Sequence, residues 1–437
     1  HTISNMTTAA IWRAGFFGYA GAVTIENLTF ENVKLLNFVE NQAKLFSNSL
    51  VSFENCEKVV FEKNVNSGSV IQEDSRAADF IKCNEVVFSG NLVTLQGSLF
   101  DGPGPDFSEC HTIKFVDNVV KNGTVISRRS YMDEISGSVI IENNIVSYDD
   151  DVPIGDGVLF TANNISYSDG GSIYLTGVES MGDTLSISNN KALGGFYHGF
   201  VDEYIAVKNF KNIELHGNEL YHTGSRCSRL LGTLYMLNVG DISIKDNVAY
   251  SCGKFGGLIG AGDTSILQDA FGSEVTGFDS ITITGNEIGK ELDGEEYYPY
   301  IIDDFLSECT FVGKDSGDTK LSTFELSGNI VRGYATDYYN KGMTMSDVSA
   351  VTIKDNTYHA ISDTGENSGT LISRANFSNI DELTISGNKG ISDSGRAYGG
   401  AVGNLLNTNA GQYLRFTASD VDALILKNRY LCRKIDL

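Results

Sequence analysis

FENCEKVVFEKN (Phe53 to Asn64), FIKCNEVVFSGN (Phe80 to Asn91) and FSECHTIKFVDN (Phe107 to Asn118) are three copies of one twelve-residue phrase, set 27 residues apart. Counting back from each terminal Asn, apolar residues stand three, five, eight and eleven places before it, as Phe61, Val59, Cys56 and Phe53 do before Asn64. The same template fits Phe30-Val33-Leu36-Phe38-Asn41 upstream. Downstream it fits the runs ending at Asn218, Asn247, Asn286, Asn356 and Asn388, with partial copies ending at Asn144, Asn190, Asn329 and Asn428. A fixed period in the range of roughly 20–50 residues is the mark of a stacked repeat.

The spacing chooses among repeat folds. Positions three and five before the Asn differ by two, so both side chains face the same side of a short strand. The steps to eight and eleven are threes, which breaks the alternation and requires a corner. No copy carries the 3, 4, 7 spacing of an amphipathic helix, and Val, Ile, Phe and Thr dominate between Asn, Gly, Asp and Ser clusters. These features predict an all-β, single-stranded parallel β-helix, a solenoid of about 27 residues per coil and about 16 coils. Asn41, Asn64, Asn91 and Asn118 are expected to stack as a ladder. Each would tolerate left-handed backbone at a turn and bond its amide to the Asn one coil away. A second marker, Gly followed by a variable residue and two mostly apolar ones, recurs at Gly68, Gly97, Gly123, Gly157 and Gly256 and reads as the next face of the coil.

One solenoid domain can absorb all 437 residues, because each coil touches only its neighbours. Residues 1–29 read as a cap or first coil, 287–320 as an inserted loop, and 413–437 as a last coil plus cap. The chain opens on His1, as a processed chain or an excerpt would, with a signal peptide already gone. A net charge of −24 excludes the basic stripe that nucleic acid or an anionic membrane would need, and favours divalent cations or basic partners. No apolar run reaches transmembrane length, so direct membrane insertion by a helix is not expected.

Cys56, Cys83 and Cys110 share one coil position and predict a buried stack, although a disulfide between stacked neighbours is geometrically allowed. Cys227 and Cys252 form the other candidate pair. The phenylalanines should form two internal ladders, one of Phe38, Phe61, Phe88 and Phe115 continued by Ile141, and one of Phe53, Phe80 and Phe107.

Two stretches stand out as candidate sites. YDDDVPIGD (Tyr148 to Asp156) gathers Asp149, Asp150, Asp151 and Asp156, whose oxygens could ligate Ca²⁺; no other cofactor is expected. It lacks the grammar of a calcium loop, and a solvated acidic turn is the plainer account. Tyr297, Tyr298 and Tyr300 with Asp303 and Asp304, joined by Tyr338 and Tyr339, suit a sugar, whose C–H face meets an aromatic ring while carboxylates accept from hydroxyls. Packing of the tyrosines onto the coils is the competing account.

Strict F-x-x-N occurs at Phe38 to Asn41, Phe61 to Asn64, Phe88 to Asn91 and Phe115 to Asn118, and G-G-A-V at Gly399 to Val402. This combination resembles the chlamydial polymorphic membrane proteins, autotransporter-like surface adhesins with a β-helical passenger region. As a pattern it covers most of the chain, and it is specific in the N-terminal third; the membrane β-barrel such proteins carry is not read in these residues. The resemblance implies an extracellular or cell-surface location and adhesion to a host or cell-surface glycan or protein.

Three functions compete. The first is a non-catalytic adhesin or structural rod. The second is a β-helical polysaccharide lyase or hydrolase, which would need two or three carboxyls on one face, one of them protonated. Asp149-Asp150 and Asp303-Asp304 are adjacent in sequence, and adjacent strand residues point oppositely. The third is a self-associating subunit of an extracellular filament, joined through open coil ends.

Overall fold

The computed structural model describes residues 51–66, 79–93, 106–121, 130–147, 173–196, 204–223, 230–250, 272–290, 309–314, 319–335, 343–360, 374–392 and 415–432. It also describes short strand segments at 2–4, 8–12, 28–31, 35–39, 46–47, 71–72, 97–101, 123–127, 160–161, 258–260, 301–302 and 305–307. All regular structure in these residues is β, and every described pairing is parallel. The chain is a parallel β-helix. Its contacts divide it into two compact units, His1–Phe196 with Phe200–Glu214, and Tyr197–Gly199 with Leu215–Leu437.

In the first unit each coil lays down three strands. The first face stacks Leu28–Glu31, Val51–Glu54, Asp79–Ile81, Asp106–Ser108, Ser130–Ile135 and Ile173–Gly177. The second stacks Leu35–Val39, Lys58–Glu62, Glu85–Ser89, Thr112–Val116, Val139–Glu142 and Gly182–Ser188. The third follows the Asn, from Val65–Asn66 to Lys191–Phe196. A separate five-stranded parallel sheet carries the Gly marker, with Ile71, Phe100, Ile126 and Phe160 in register. Near the N-terminus, Thr2–Ser4 pairs with the first face and Thr8–Trp12 with the second.

The second unit repeats the scheme. Thr233–Lys245 pairs with Ser273–Phe278 and Ser280–Thr284, and these pair in turn with Cys309–Gly313 and Thr323–Ser327. Met343–Lys354, Arg374–Ser392 and Arg415–Cys432 follow. Residues 287–320 are therefore not one loop. Glu287–Lys290 and Cys309–Gly313 are coil strands, and Leu306–Ser307 pairs with Ile259–Gly260. Arg415–Cys432 pairs in parallel with Arg374–Ser392.

The template residues are the core. Phe53, Val59, Phe61, Phe80, Val86, Phe88, Phe107, Ile113 and Phe115 are buried, as are Met345, Val348, Val351 and Ile353 in the second unit. Both expected phenylalanine ladders exist. Phe53, Phe80 and Phe107 stack at 4.7 and 4.9 Å, and Phe61, Phe88 and Phe115 at 4.5 and 5.2 Å. Phe38 and Ile141 hold the same register. Each stacked pair adds about 0.5–1.5 kcal/mol beyond its burial.

The Asn ladder pairs its buried amides with one another and with the backbone. Asn91 Oδ1 accepts from the backbone N–H and the Nδ2 of Asn64, at 3.1 and 2.8 Å. Its own Nδ2 donates to Asn118 Oδ1 at 2.9 Å and to the Phe61 carbonyl at 3.0 Å. The pattern repeats at Asn118 and Asn144, and in the second unit at Asn247, Asn286, Asn329 and Asn356. Asn41 lies outside the described residues.

One detail departs from expectation. The ladder Asn is not the left-handed residue. The residue before it is: Lys63 (φ 52°), Gly90 (60°), Asp117 (57°) and Asn143 (56°). A second left-handed position precedes each stacked Cys, at Asn55, Lys82 and Glu109. Holding Lys or Glu there costs about 1 kcal/mol or more, but each of these N–H groups bonds the next coil, as Lys63 N does to Ser89 O at 2.9 Å. Coil pairing fixes the turn, so the Asn is freed to point inward.

The 27-residue rise is local. Successive ladder Asn are 27 and 26 residues apart up to Asn144, then 46 to Asn190, and in the second unit 29, 39, 43, 27 and 32 apart. Ile141 pairs directly with Ile187, so the 46-residue interval is one long coil and not a degenerate pair. Coils longer than 27 residues are thus common among the described residues, and the sixteen expected from dividing the length by the period assumes none.

Candidate functional site

All the sequence-predicted ligand residues, Tyr297, Tyr298, Tyr300, Asp303, Asp304, Tyr338 and Tyr339, lie outside the described residues, as do Asp149, Asp150, Asp151 and Asp156. Cys227 and Cys252 lie outside them as well. Cys56, Cys83 and Cys110 form the expected buried stack and are free thiols. The Cys83 and Cys110 thiols donate to the carbonyls of Phe53 and Phe80, each at 3.3 Å. Contact with the neighbouring thiols of Cys110 and Cys56, together with burial, pushes the Cys83 thiol up and keeps it protonated.

The fold brings together a different set. On the first face of the first unit, residues flanking the buried Phe point outward and fall in columns, one residue per coil. One column runs Asp79, Asp106, Tyr131 and Tyr174. Two residues along each strand, a second column runs Glu54, Ile81, Ser108 and Asp133. The alternation that buries Phe80, Phe107, Met132 and Leu175 is what turns these side chains to the outside.

Asp79 and Asp106 are thus neighbours across one coil step of roughly 4.8 Å. Partial burial, then the carboxylates of Asp106 and Glu54, raise Asp79 above the usual carboxylate range. Burial raises Asp106 in the same direction. Neither forms an ion pair among the described residues. Beyond them the Tyr131 and Tyr174 rings stack at 4.8 Å with an 11° interplanar angle, and Tyr131 remains 44% exposed. The Thr176 hydroxyl donates to Asp133, which anchors the rim of this patch.

The second face handles charge differently. Glu85 sits between Lys58 at 2.6 Å and Lys114 at 2.7 Å. Burial acts to raise Glu85, but the bonds from Lys114 and Lys58 outweigh it and hold the carboxyl low. In the second unit Glu325 is likewise held low, by the Ser327 hydroxyl and, against burial, by Lys354. The Asp79/Asp106 column differs from these in having no ion-pair partner among the described residues.

Adjacent carboxylates on a strand point to opposite faces, whereas equivalent positions of successive coils share one. The informative signal was Asp immediately before the phrase in two successive copies, Asp79-Phe80 and Asp106-Phe107. A strict repeat turns a separation of 27 residues into contact.

Among the described residues no group of three or more His, Cys, Asp and Glu is placed to hold a metal ion. No helix among them is long and apolar enough to cross a membrane, which leaves β-barrel crossing unaddressed. Compared with family models, characterised proteins and solved structures, the chain gives no match.

Proposed function

We propose that this chain is a non-catalytic β-helical protein of the cell exterior that works as an adhesin or structural element. The observation that carries the reading is the division of labour within each coil. Buried polar capacity is spent on stacking, through the Asn ladder, while outward positions at one register change chemistry from coil to coil, from Asp79 and Asp106 to Tyr131 and Tyr174. Such a scaffold offers a long surface whose composition varies without disturbing the core. The F-x-x-N and G-G-A-V repeats support the kinship with polymorphic-membrane-protein adhesins and the extracellular location.

The test is binding to an array of glycans and to intact cells, with mass spectrometry of the recovered glycans. Selective binding that leaves them intact supports the reading; shortened glycans overturn it. A hydrolase is the second reading, favoured by one specific observation. Asp79 and Asp106 are two carboxyls on one face, both raised by burial and one coil step apart, and a pair of nearby carboxyls with a raised acid is what glycoside hydrolysis uses. Glycan cleavage abolished in both Asp79→Asn and Asp106→Asn would establish it.

A further inference from the structure

We infer that the outward first face of the first unit, Asp79, Asp106 and Asp133 with the Tyr131–Tyr174 stack, is a docking surface for an extended basic peptide of a partner protein. The inference rests on the non-catalytic, partner-binding reading above and supplies the chemistry of the partner.

Charge complementarity chooses the occupant. The chain carries −24 overall, and where acids meet on the second face the fold supplies its own lysines, as at Glu85. Asp79 and Asp106 face each other across one coil step with no cation among the described residues. Guanidinium and ammonium groups are the counterpart that relieves such a pair, and Arg meets a carboxylate with two parallel bonds.

The aromatic part narrows the choice further. One face of the Tyr131 ring is taken by Tyr174, while its register neighbour on the other side is Asp106. A cation seated at Asp106 therefore lies beside a tyrosine face, where carboxylate and cation–π attraction act on one group. A strongly hydrated metal ion gains less from the ring than a flat, weakly hydrated guanidinium, which also stacks on it.

The geometry suits a strand. The columns are straight, with residues roughly 4.8 Å apart, and an extended peptide presents alternate side chains on one face about 6.8 Å apart. Lys and Arg stems are long enough to absorb that mismatch while following the column. Asp133 lies on the next coil from Asp106, two residues along, and receives the second cation of such a peptide.

The test uses the full chain and fluorescein-labelled hexa-arginine, hexa-lysine and hexa-glutamate, followed by anisotropy at low and high salt. The expected result is saturable binding of the basic peptides alone, weakened with salt and by at least tenfold in the Asp79→Asn/Asp106→Asn double variant. Tyr131→Leu should weaken hexa-arginine at least threefold. Glu382→Gln, an exposed acid of the second unit, should change binding by less than twofold. These substitutions are at outward positions, and circular dichroism checks that each variant is folded. Equal losses in Glu382→Gln and the double variant would show that net charge alone binds the peptides, and would overturn the site. Unchanged affinity in the double variant would do the same. Glycan or cell binding that survives the double variant intact would refute this inference while leaving the adhesin reading standing. Glycan cleavage would remove that reading instead, whatever the peptide result.

Discussion

Asn118→Ala removes one carboxamide from the centre of the ladder, and the structure states what is orphaned. Asn118 Oδ1 accepts from Asn91 N at 3.1 Å and Asn91 Nδ2 at 2.9 Å, and its Nδ2 donates to Asn144 Oδ1 at 2.9 Å and Phe88 O at 3.0 Å. Asn144 Oδ1 keeps the Asn118 N–H at 3.1 Å, and Asn91 Nδ2 keeps Phe61 O. The groups left wholly or partly bare are then Asn91 N–H, one Asn91 Nδ2–H and Phe88 O, in a site with no solvent exposure. At about 1–3 kcal/mol for each of these three buried groups, the expected loss is about 3–9 kcal/mol. Guanidinium unfolding of Asn118→Ala beside Lys121→Ala, an exposed neighbour on the same coil, measures it, with hydrogen exchange localising the change to the coils around residues 91–144. A loss below about 1 kcal/mol, or one equal to that of Lys121→Ala, would refute the view that these amides hold the coils in register. Asn118→Asp should cost more, because Asp replaces a donor with a buried carboxylate.

Other predictions follow from single features. Gly313→Ala places a Cβ 2.1 Å from the Asp347 carbonyl oxygen and should cost about 3 kcal/mol by thermal or denaturant unfolding. Gly90→Ala meets nothing closer than Lys63 Cγ at 3.5 Å, so only the left-handed φ is felt, at about 1 kcal/mol, and Gly90→Asn should cost less still. Cys56, Cys83, Cys110 and Cys309 should resist iodoacetamide in the native protein and react on unfolding, since all four are buried away from the reagent. Raised Asp79 binds its proton more tightly folded than unfolded, so its stabilising contribution is full below the ordinary carboxylate range and is lost as pH rises through the raised value. Asp106→Asn removes the neighbouring charge and should therefore gain up to about 0.5 kcal/mol at pH 7 after allowance for solvent screening, with no gain near pH 3.

Much of the fold was legible because a solenoid writes its geometry into its period. The template positions at Val59, Phe61, Phe88 and Phe115 are the buried ones, and Gly68-Ser-Val-Ile, Gly97-Ser-Leu-Phe and Gly123-Thr-Val-Ile end on the residues that pair in the separate sheet. Two things were misread for physical reasons. Asn is the usual left-handed residue outside glycine, so the ladder Asn was given the turn conformation that belongs to Lys63, Gly90 and Asp117. The partial copy ending at Asn329 hid an ordinary coil, because the residues between Gly313 and Thr323 separate its first two strands and leave Leu321 exposed at the position the template reserves for a core residue. The candidate site was legible only through the register. Asp79 and Asp106 are unremarkable in a linear reading, and become neighbours once residues 27 apart are superposed.

Register is thus the claim on which fold, ladder and docking surface all depend, and disulfide trapping measures it directly. Ser89 and Val116 are outward partners in successive coils. Their Cα atoms, at the roughly 4.8 Å spacing of paired strands, fall within the roughly 4.4–6.8 Å a disulfide spans. Ser89→Cys/Val116→Cys should cross-link on mild oxidation, with the bridge found by peptide mass spectrometry, whereas Ser89→Cys/Lys114→Cys, displaced by two residues along the partner strand, should not. Cross-linking of the displaced pair as readily as the aligned one would contradict the 27-residue register.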